Sequence, residues 1–329
     1  MSISSLSTAS PTLAQVAELA GVSPATVSRV LRGSAPVSAH ARARVERAAQ
    51  RLGYVRHQGR PDRTGSVAVV ICDEAGRVFS DPFYARLLWG VNRALRGGPQ
   101  LMVLWAGRAE DWGAVGRYLR GGGADGCLLV GARPGCPLDE LPGDIPIVLA
   151  GRPAFDVRLP YVDADNLGGA KGAVEYLVDL GRQRIATIAG PQELRAGGDR
   201  LEGYRKAVGD AGLAQVVAHG DFLQASGEHA MNRLLDLHPD LDAVLAASDL
   251  MALGALRALR RAGRRVPEDV AVIGFDDGPM AKKLRLTTVR QPVEEMGARM
   301  AGDLLARVAG QAGAARSVLR TKLIVRETA

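Results

Sequence analysis

The chain has 329 residues, 47% of them hydrophobic and 23% charged, enough for one large body plus a small module and a composition that excludes long disorder. No apolar run approaches the ~18 residues of a membrane span, and the polar opening MSISSLSTASPT lacks the basic-then-apolar order of an export signal, so a cytoplasmic protein with no membrane partner is expected. The formal net charge of +7 is lopsided: residues 1–63 carry nine arginines against Glu18, Glu46 and Asp62, a net of +6, while the rest nets +1. That points to a polyanionic partner for the head alone, without separating DNA from RNA or a membrane surface.

The first predicted element follows Thr12, a good N-cap, with Leu13, Val16, Ala17 and Ala20 on one stripe. Gly21 ends it, because glycine enters a left-handed turn cheaply. Ser23 then caps a second helix with Pro24 at its first position, where a missing N–H costs nothing. Val27, Val30 and Leu31 give this helix a buried side and leave Thr26, Ser28 and Arg29 outward. A third helix starts at Ser38 and buries Val45, Ala48, Ala49 and Leu52. Two short helices joined by a glycine turn, buttressed by a third, are the arrangement that sets the second helix in a DNA major groove. Arg29 can there donate two parallel hydrogen bonds to guanine, worth about 1–3 kcal/mol of discrimination. Pro24 and Ala25 can pack on a thymine methyl, and Thr12, Ser23, Thr26 and Ser28 suit phosphate contacts, which set register. Arg32 and Tyr54 complete the DNA-facing set. The competing reading is a three-helix protein-docking module with a solvated basic face.

The segment Gly59–Gly65 (GRPDRTG) reads as a linker. Beyond it, short apolar runs alternate with amphipathic stretches. Strands are predicted at 67–71, 101–105, 127–130, 145–150, 184–190, 243–247 and 270–275, and helices at 83–96, 111–120, 166–180, 200–211, 226–237 and 249–262. This implies βαβ units and an α/β body of parallel sheets, with roughly 260 residues better divided into two lobes around a cleft than packed on one core. Asp163 and Asp165 are expected to cap the helix near Asn166. Cys72, Cys127 and Cys136 show no metal-type spacing and read as buried small hydrophobes of a reducing compartment.

The run VAELAGVSPATVSRVLRG with the downstream LGY resembles the lactose/galactose repressor (LacI/GalR) family. The resemblance continues through GRQRIATIAGP, DRLEGYRKA, AASDLMALGALRAL, RVPEDVAVIGFDD and LTTVRQPVEEMG, nearly the whole chain. It implies a helix-turn-helix domain over 1–55, a hinge over 56–65, and a periplasmic-binding-protein-like effector and dimerisation body over 66–329. It further implies a repressor acting as a homodimer on a palindromic double-stranded DNA operator, under a small effector, often a carbohydrate, in the cleft. Release of DNA by the effector is the family default. The chain departs from the pattern at the hinge: VRHQGRPDRTGSVAVV is about four residues short, holds no leucine between Leu52 and Leu87, and carries Gly59 and Pro61 against a helix. Binding without the family's minor-groove leucine wedge, leaning on Arg56, Arg60 and Arg63, is therefore expected. With no heptad tail after LIVRETA, dimers are expected and tetramers are not.

Carried over by motif, the effector candidates are Asp81, Phe83, Arg152, Arg200, Phe222, Asp249 and Asp276. Carboxylates accepting from neighbouring hydroxyls, an arginine donating to an oxygen and a ring stacking on an apolar sugar face are good carbohydrate chemistry. Each also falls near a predicted strand end, where open α/β sheets hold ligands. The structural alternatives are a capping role for Asp249 and an ion pair for Arg200. An enzyme is not expected, and neither a cofactor nor a metal is called for. Gly121, Gly123 and Gly126 match G-x-G-x-x-G, but the match precedes a strand instead of following one. His40, His57, His219, His229 and His238 are scattered, with no acid–base pair. A transport binding protein would share the body, but it needs an export signal and has no use for a basic helix-turn-helix.

Overall fold

The computed structural model of the chain describes residues 13–32, 37–52 and 64–329. Thr12, Tyr54 and segment 56–63 lie outside the described residues, as do the side chains of Ser28, Leu31 and Arg32. The chain divides into two compact units, before and after the Asp62–Arg63 bond.

The first unit holds helices α1 (Leu13–Ala20), α2 (Pro24–Arg32) and α3 (Ala39–Leu52). Of the expected core, Val16, Ala17, Ala20, Val27, Val45, Ala48 and Ala49 are buried, with Val22, Val30 and Leu52 packed against them, while the side chains of Leu13 and Leu31 lie outside the described residues.

The second unit is built on two six-stranded sheets. One carries β1 (Ser66–Ile71), β2 (Gln100–Trp105), β3 (Gly126–Val130), β4 (Ile147–Ala150), β5 (Tyr161–Ala164) and β11 (Arg316–Leu319), in the order β11-β5-β4-β3-β1-β2. The other carries β6 (Ile185–Ala189), β7 (Val216–His219), β8 (Ala243–Ala246), β9 (Ala271–Asp276), β10 (Thr287–Arg290) and β12 (Lys322–Ile324), in the order β12-β10-β9-β8-β6-β7. Every pairing is parallel except β10 with β12. Strand β1 shows why such strands read as unbroken apolar runs: Val67, Val69 and Ile71 enter the core on one face, and Ala68, Val70 and Cys72 the core on the other.

Helices α4 (Ala75–Ser80), α5 (Pro82–Ala94), α6 (Ala109–Arg120) and α12 (Val293–Val308) cover the first sheet. Helices α7 (Asn166–Asp179), α8 (Arg195–Asp210), α9 (Gln224–Leu237) and α10 (Asp249–Arg261) cover the second, with the short α11 (Pro279–Lys283) beside it. The chain passes between the lobes three times, at β5 to α7, β10 to α12 and β11 to β12. The seven expected strands and six expected helices are present; β5, β7, β10, β11 and β12, each three or four residues long, were not anticipated because they hold too few apolar residues to stand out. The Gly121–Gly126 run joins α6 to β3, a helix-to-strand loop.

Candidate functional site

In the first unit, Ser23 Oγ accepts from Thr26 N–H at 3.2 Å and lies 2.9 Å from Thr26 Oγ1, so both side chains are engaged in starting α2. Gly21 sits at φ +60, the left-handed region in which a side chain is strained, so the turn between α1 and α2 favours glycine. The result presents Pro24, Ala25 and Arg29 on an exposed face, opposite the buried Val27.

In the second unit, the strand ends of both lobes face one cavity of about 130 Å³. This is below the roughly 300 Å³ at the small end of ligand pockets, so the lobes stand close together. The second lobe's wall centres on Arg200 of α8, only 5% exposed. Its Nε donates to Asn166 Oδ1 at 2.9 Å, its Nη1 donates to Ala247 O at 2.5 Å, and Asp276 Oδ1 lies 3.8 Å away. Its guanidinium lies 3.8 Å from the Phe275 ring centroid and 5.4 Å from that of Phe222. Burial pulls its pKa below the usual guanidinium range against the pull of surrounding carboxylates, foremost Asp276.

Asp276 ends β9 with φ 129 and accepts from Gln291 Nε2 at 2.5 Å; burial raises its pKa although Arg200 and Gln291 favour the charge. Phe222 holds φ 73, and its carbonyl accepts from Ser248 Oγ at 2.8 Å. Non-glycine residues in this region cost of order 1–3 kcal/mol each, and such strain clusters at ligand clamps.

The first lobe contributes Asp81 and Phe83 from the start of α5 and Arg152 after β4. Asp81 caps α5 by accepting from Phe83 N–H at 2.9 Å. Burial, reinforced by Asp276, pushes its carboxyl up to about 6. Arg152 reaches across the cleft to Asp199 of α8, at 2.8 and 2.7 Å, and Arg195 joins the same carboxylate at 2.9 Å. A second crossing pairs Arg77 of α4 with the carbonyl and carboxylate of Asp221.

Six of the seven effector candidates, Asp81, Phe83, Arg152, Arg200, Phe222 and Asp276, thus line one cavity. Asp249 does not line it. It opens α10 with both oxygens occupied, one by Thr288 Oγ1 at 2.5 Å and the other by Gly278 N–H at 2.7 Å. Asp163 moves the opposite way: only Asp165 caps α7, whereas Asp163 lines the cavity and accepts from Arg152 N–H at 3.0 Å and Asn166 Nδ2 at 3.1 Å. Sequence reading missed Asn166, Arg195, Ser248 and Gln291. Their signal was position, since Ser248 and Gln291 sit just past β8 and β10. Among the described residues no cluster of three metal-ligating side chains occurs and no helix is long and apolar enough to cross a membrane.

A family model described as "Bacterial regulatory proteins, lacI family" matches residues 12–57, and one described as "Periplasmic binding protein-like domain" matches 174–329. The chain is 45% identical over 333 residues to the HTH-type transcriptional regulator CelR of Thermobifida fusca, covering 97% of this chain and 98% of that one. It is 35% identical over 329 residues to the transcriptional repressor CytR of Escherichia coli K12, covering 96% and 95%. Among solved structures it is similar to the CelR–cellobiose complex, with a TM-score of 0.78 at 45% identity over 97% of this chain and 100% of that one. It is also similar to the lac repressor dimer bound to operator and an anti-inducer, with a TM-score of 0.72 at 26% identity over 97% and 98%.

Proposed function

Because the chain belongs to the LacI family of bacterial regulatory proteins, an effector-controlled DNA-binding transcriptional regulator, we propose that it is a repressor whose effector is a short neutral carbohydrate of the cellobiose type. The observation that carries this is the cavity, in which Arg200, Asp276 and Phe222 of one lobe face Asp81 and Phe83 of the other. Each arginine of the lining already has a carboxylate neighbour: Asp199 for Arg152 and Arg195, Asp276 for Arg200. An anionic ligand would find Asp81, Asp163 and Asp276 opposed to it, whereas a polyol supplies donors to the carboxylates, an acceptor to Arg200 and an apolar ring face to Phe222. The relative solved with cellobiose supports the class.

Helix α2 reads a half-site through Arg29, with Pro24 and Ala25 on the bases and Ser23 and Thr26 near the phosphates. Two such units in a homodimer, about 34 Å apart, span one turn of a palindromic operator. An apolar strip supports the dimer. Phe79, 80% exposed, packs on Trp105 with ring centroids 6.0 Å apart, and the exposed Val103 lies on the same face of the edge strand β2 as Trp105.

The test is a gel shift on duplexes selected from a random pool. Cellobiose is expected to lower operator occupancy and to raise the thermal midpoint, while glucose 6-phosphate does neither. Arg29→Ala is expected to abolish preference among duplexes and leave cellobiose binding unchanged. If glucose 6-phosphate protects the protein and cellobiose does not, the carbohydrate assignment falls. If Arg29→Ala keeps its preference, the recognition helix is misassigned.

A further inference from the structure

We infer that Arg86 is a positioning residue for the effector: from the first lobe its guanidinium holds the main chain of two residues that line the cavity, Asp276 and Gln291, without lining it itself. The inference rests on the reading of that cavity as the effector site.

Arg86 lies in α5, one turn before Gly90, and Glu294 lies in α12, three residues before Gly297. A Cβ on Gly90 would meet Glu294 O at 2.1 Å, and one on Gly297 would meet Leu87 O at 2.2 Å. The two glycines therefore let the helix backbones touch, which sets Arg86 beside Glu294. Arg86 Nε and Nη2 donate to the two carboxylate oxygens of Glu294 at 2.7 and 2.9 Å. This parallel pair fixes the plane of the guanidinium, on a side chain only 16% exposed, and leaves Nη1 for another partner. That partner is Asp276 O, 3.0 Å away at the end of β9 in the second lobe. Nη2 also donates to Gln291 O, at 3.4 Å, in the crossover from β10 to α12.

The cavity wall needs such a hold. Asp276 and Asp277 stand at φ 129 and 52, two consecutive non-glycine residues in the half of backbone space that side chains avoid. Residues of that kind persist only where their surroundings enforce them. The Asp277 carboxylate accepts from Arg290 and Arg326 at 2.6 and 2.5 Å, and Asp276 Oδ1 accepts from Gln291 Nε2 at 2.5 Å. The peptide group between the two aspartates is the one whose carbonyl Arg86 takes. Its orientation sets the direction in which the Asp276 side chain leaves the backbone. Lysine would bring the charge without the planar fork, and could not hold Glu294 and Asp276 in one geometry.

Without Arg86 the turn is released, and only the fraction of molecules that still aim Asp276 into the cavity can take the effector. Apparent affinity falls by that fraction, and the loss appears in association. Removing a direct contact with the ligand acts the other way, through release.

The test has two arms, both on the full chain. In the first, without effector, hydrogen exchange is followed by mass spectrometry in the unsubstituted chain, Arg86→Lys and Arg86→Met. Exchange across residues 276–282 is expected to rise about tenfold in both variants, while α7 and α9 keep their protection. In the second, stopped-flow mixing with cellobiose is expected to show association about tenfold slower, with release within about twofold of the unsubstituted rate. Glu294→Gln leaves the fork one charged acceptor short and is expected to move both readouts the same way by less, so the assignment stays testable if the Arg86 variants do not fold. Unchanged exchange at 276–282, a rise spread over the whole second unit, or a loss of affinity carried by faster release overturns it. If the unsubstituted chain takes no cellobiose, the carbohydrate reading falls, and the exchange arm alone decides the role of Arg86.

Discussion

The two walls of the cleft are built to different tolerances. On the second lobe, Arg200 is buried between two rings with its donors committed to Asn166 and Ala247, and Asp276 and Phe222 are held in backbone conformations that their surroundings must enforce. On the first lobe, Asp81 and Phe83 are only partly buried, and Arg77 and Arg152 reach over the gap to partners on the opposite side. One wall is preorganised, and a ligand meets it with little further ordering. The other is tied to its opposite by ion pairs across the gap, partly open to solvent.

The largest expected effect belongs to the rigid wall. Arg200→Ala leaves Asp276 without its cation and Asn166 Oδ1 without its donor, both inside the protein. Breaking one partner out of a buried charge pair costs about 3–5 kcal/mol, far more than the pair is worth against an apolar replacement. Denaturant unfolding of the variant is expected to show a loss in that range, together with loss of any effector response. A stability change below about 1 kcal/mol would show the second wall to be as adaptable as the first.

Asp81 gives an intermediate effect with a definite pH sign. Its folded-state pKa, raised to about 6 from 3.8 by burial and Asp276, means that the folded chain holds a proton that the unfolded chain has lost between those values. Its contribution therefore falls as pH rises from about 4 to about 6 and is most unfavourable above that window. Asp81→Asn keeps a cap for Phe83 N–H and removes the charge. The variant is expected to exceed the unsubstituted chain in stability at pH 7, by at most about 3 kcal/mol for a shift of this size, with the difference shrinking as pH falls to 4. Paired thermal melts at pH 4 and pH 7 measure it, and a gap that widens on acidification would remove the apposition of Asp81 and Asp276.

What the sequence discloses divides along the same line between local and distant determinants. The helix-turn-helix was legible because Gly21, the Ser23 cap and the Val27 contact lie within a few residues of what they shape. The lobes were legible from their long apolar strands, and most of the cavity lining from the rule that ligands sit at strand ends. Asp249 misled because its carboxylate is occupied by Gly278 and Thr288, 29 and 39 residues away, which no local pattern displays. Arg195 was missed because α8 begins six residues before Leu201, the first large apolar side chain of its stripe, and Gln291 because β10 is four residues of threonine, valine and arginine.

The smallest effect lies with the closing wall. Arg77 and Asp221 are 25% and 46% exposed, and Arg152 is 41% exposed against a 7% exposed Asp199. Pairs this close to solvent are worth about 0.2–1 kcal/mol, so Arg77→Ala should barely move the unfolding midpoint. Its influence belongs to the closed state, where those pairs span the gap. Losing about 1 kcal/mol of closure corresponds to roughly fivefold faster ligand release. Stopped-flow release of cellobiose is expected to show that change with association little altered, and raising the salt should speed release from the unsubstituted chain toward the variant's rate. If Arg77→Ala instead unfolds the protein as readily as Arg200→Ala, the crossing pairs hold the fold together instead of setting its closure, and the distinction between the two walls disappears.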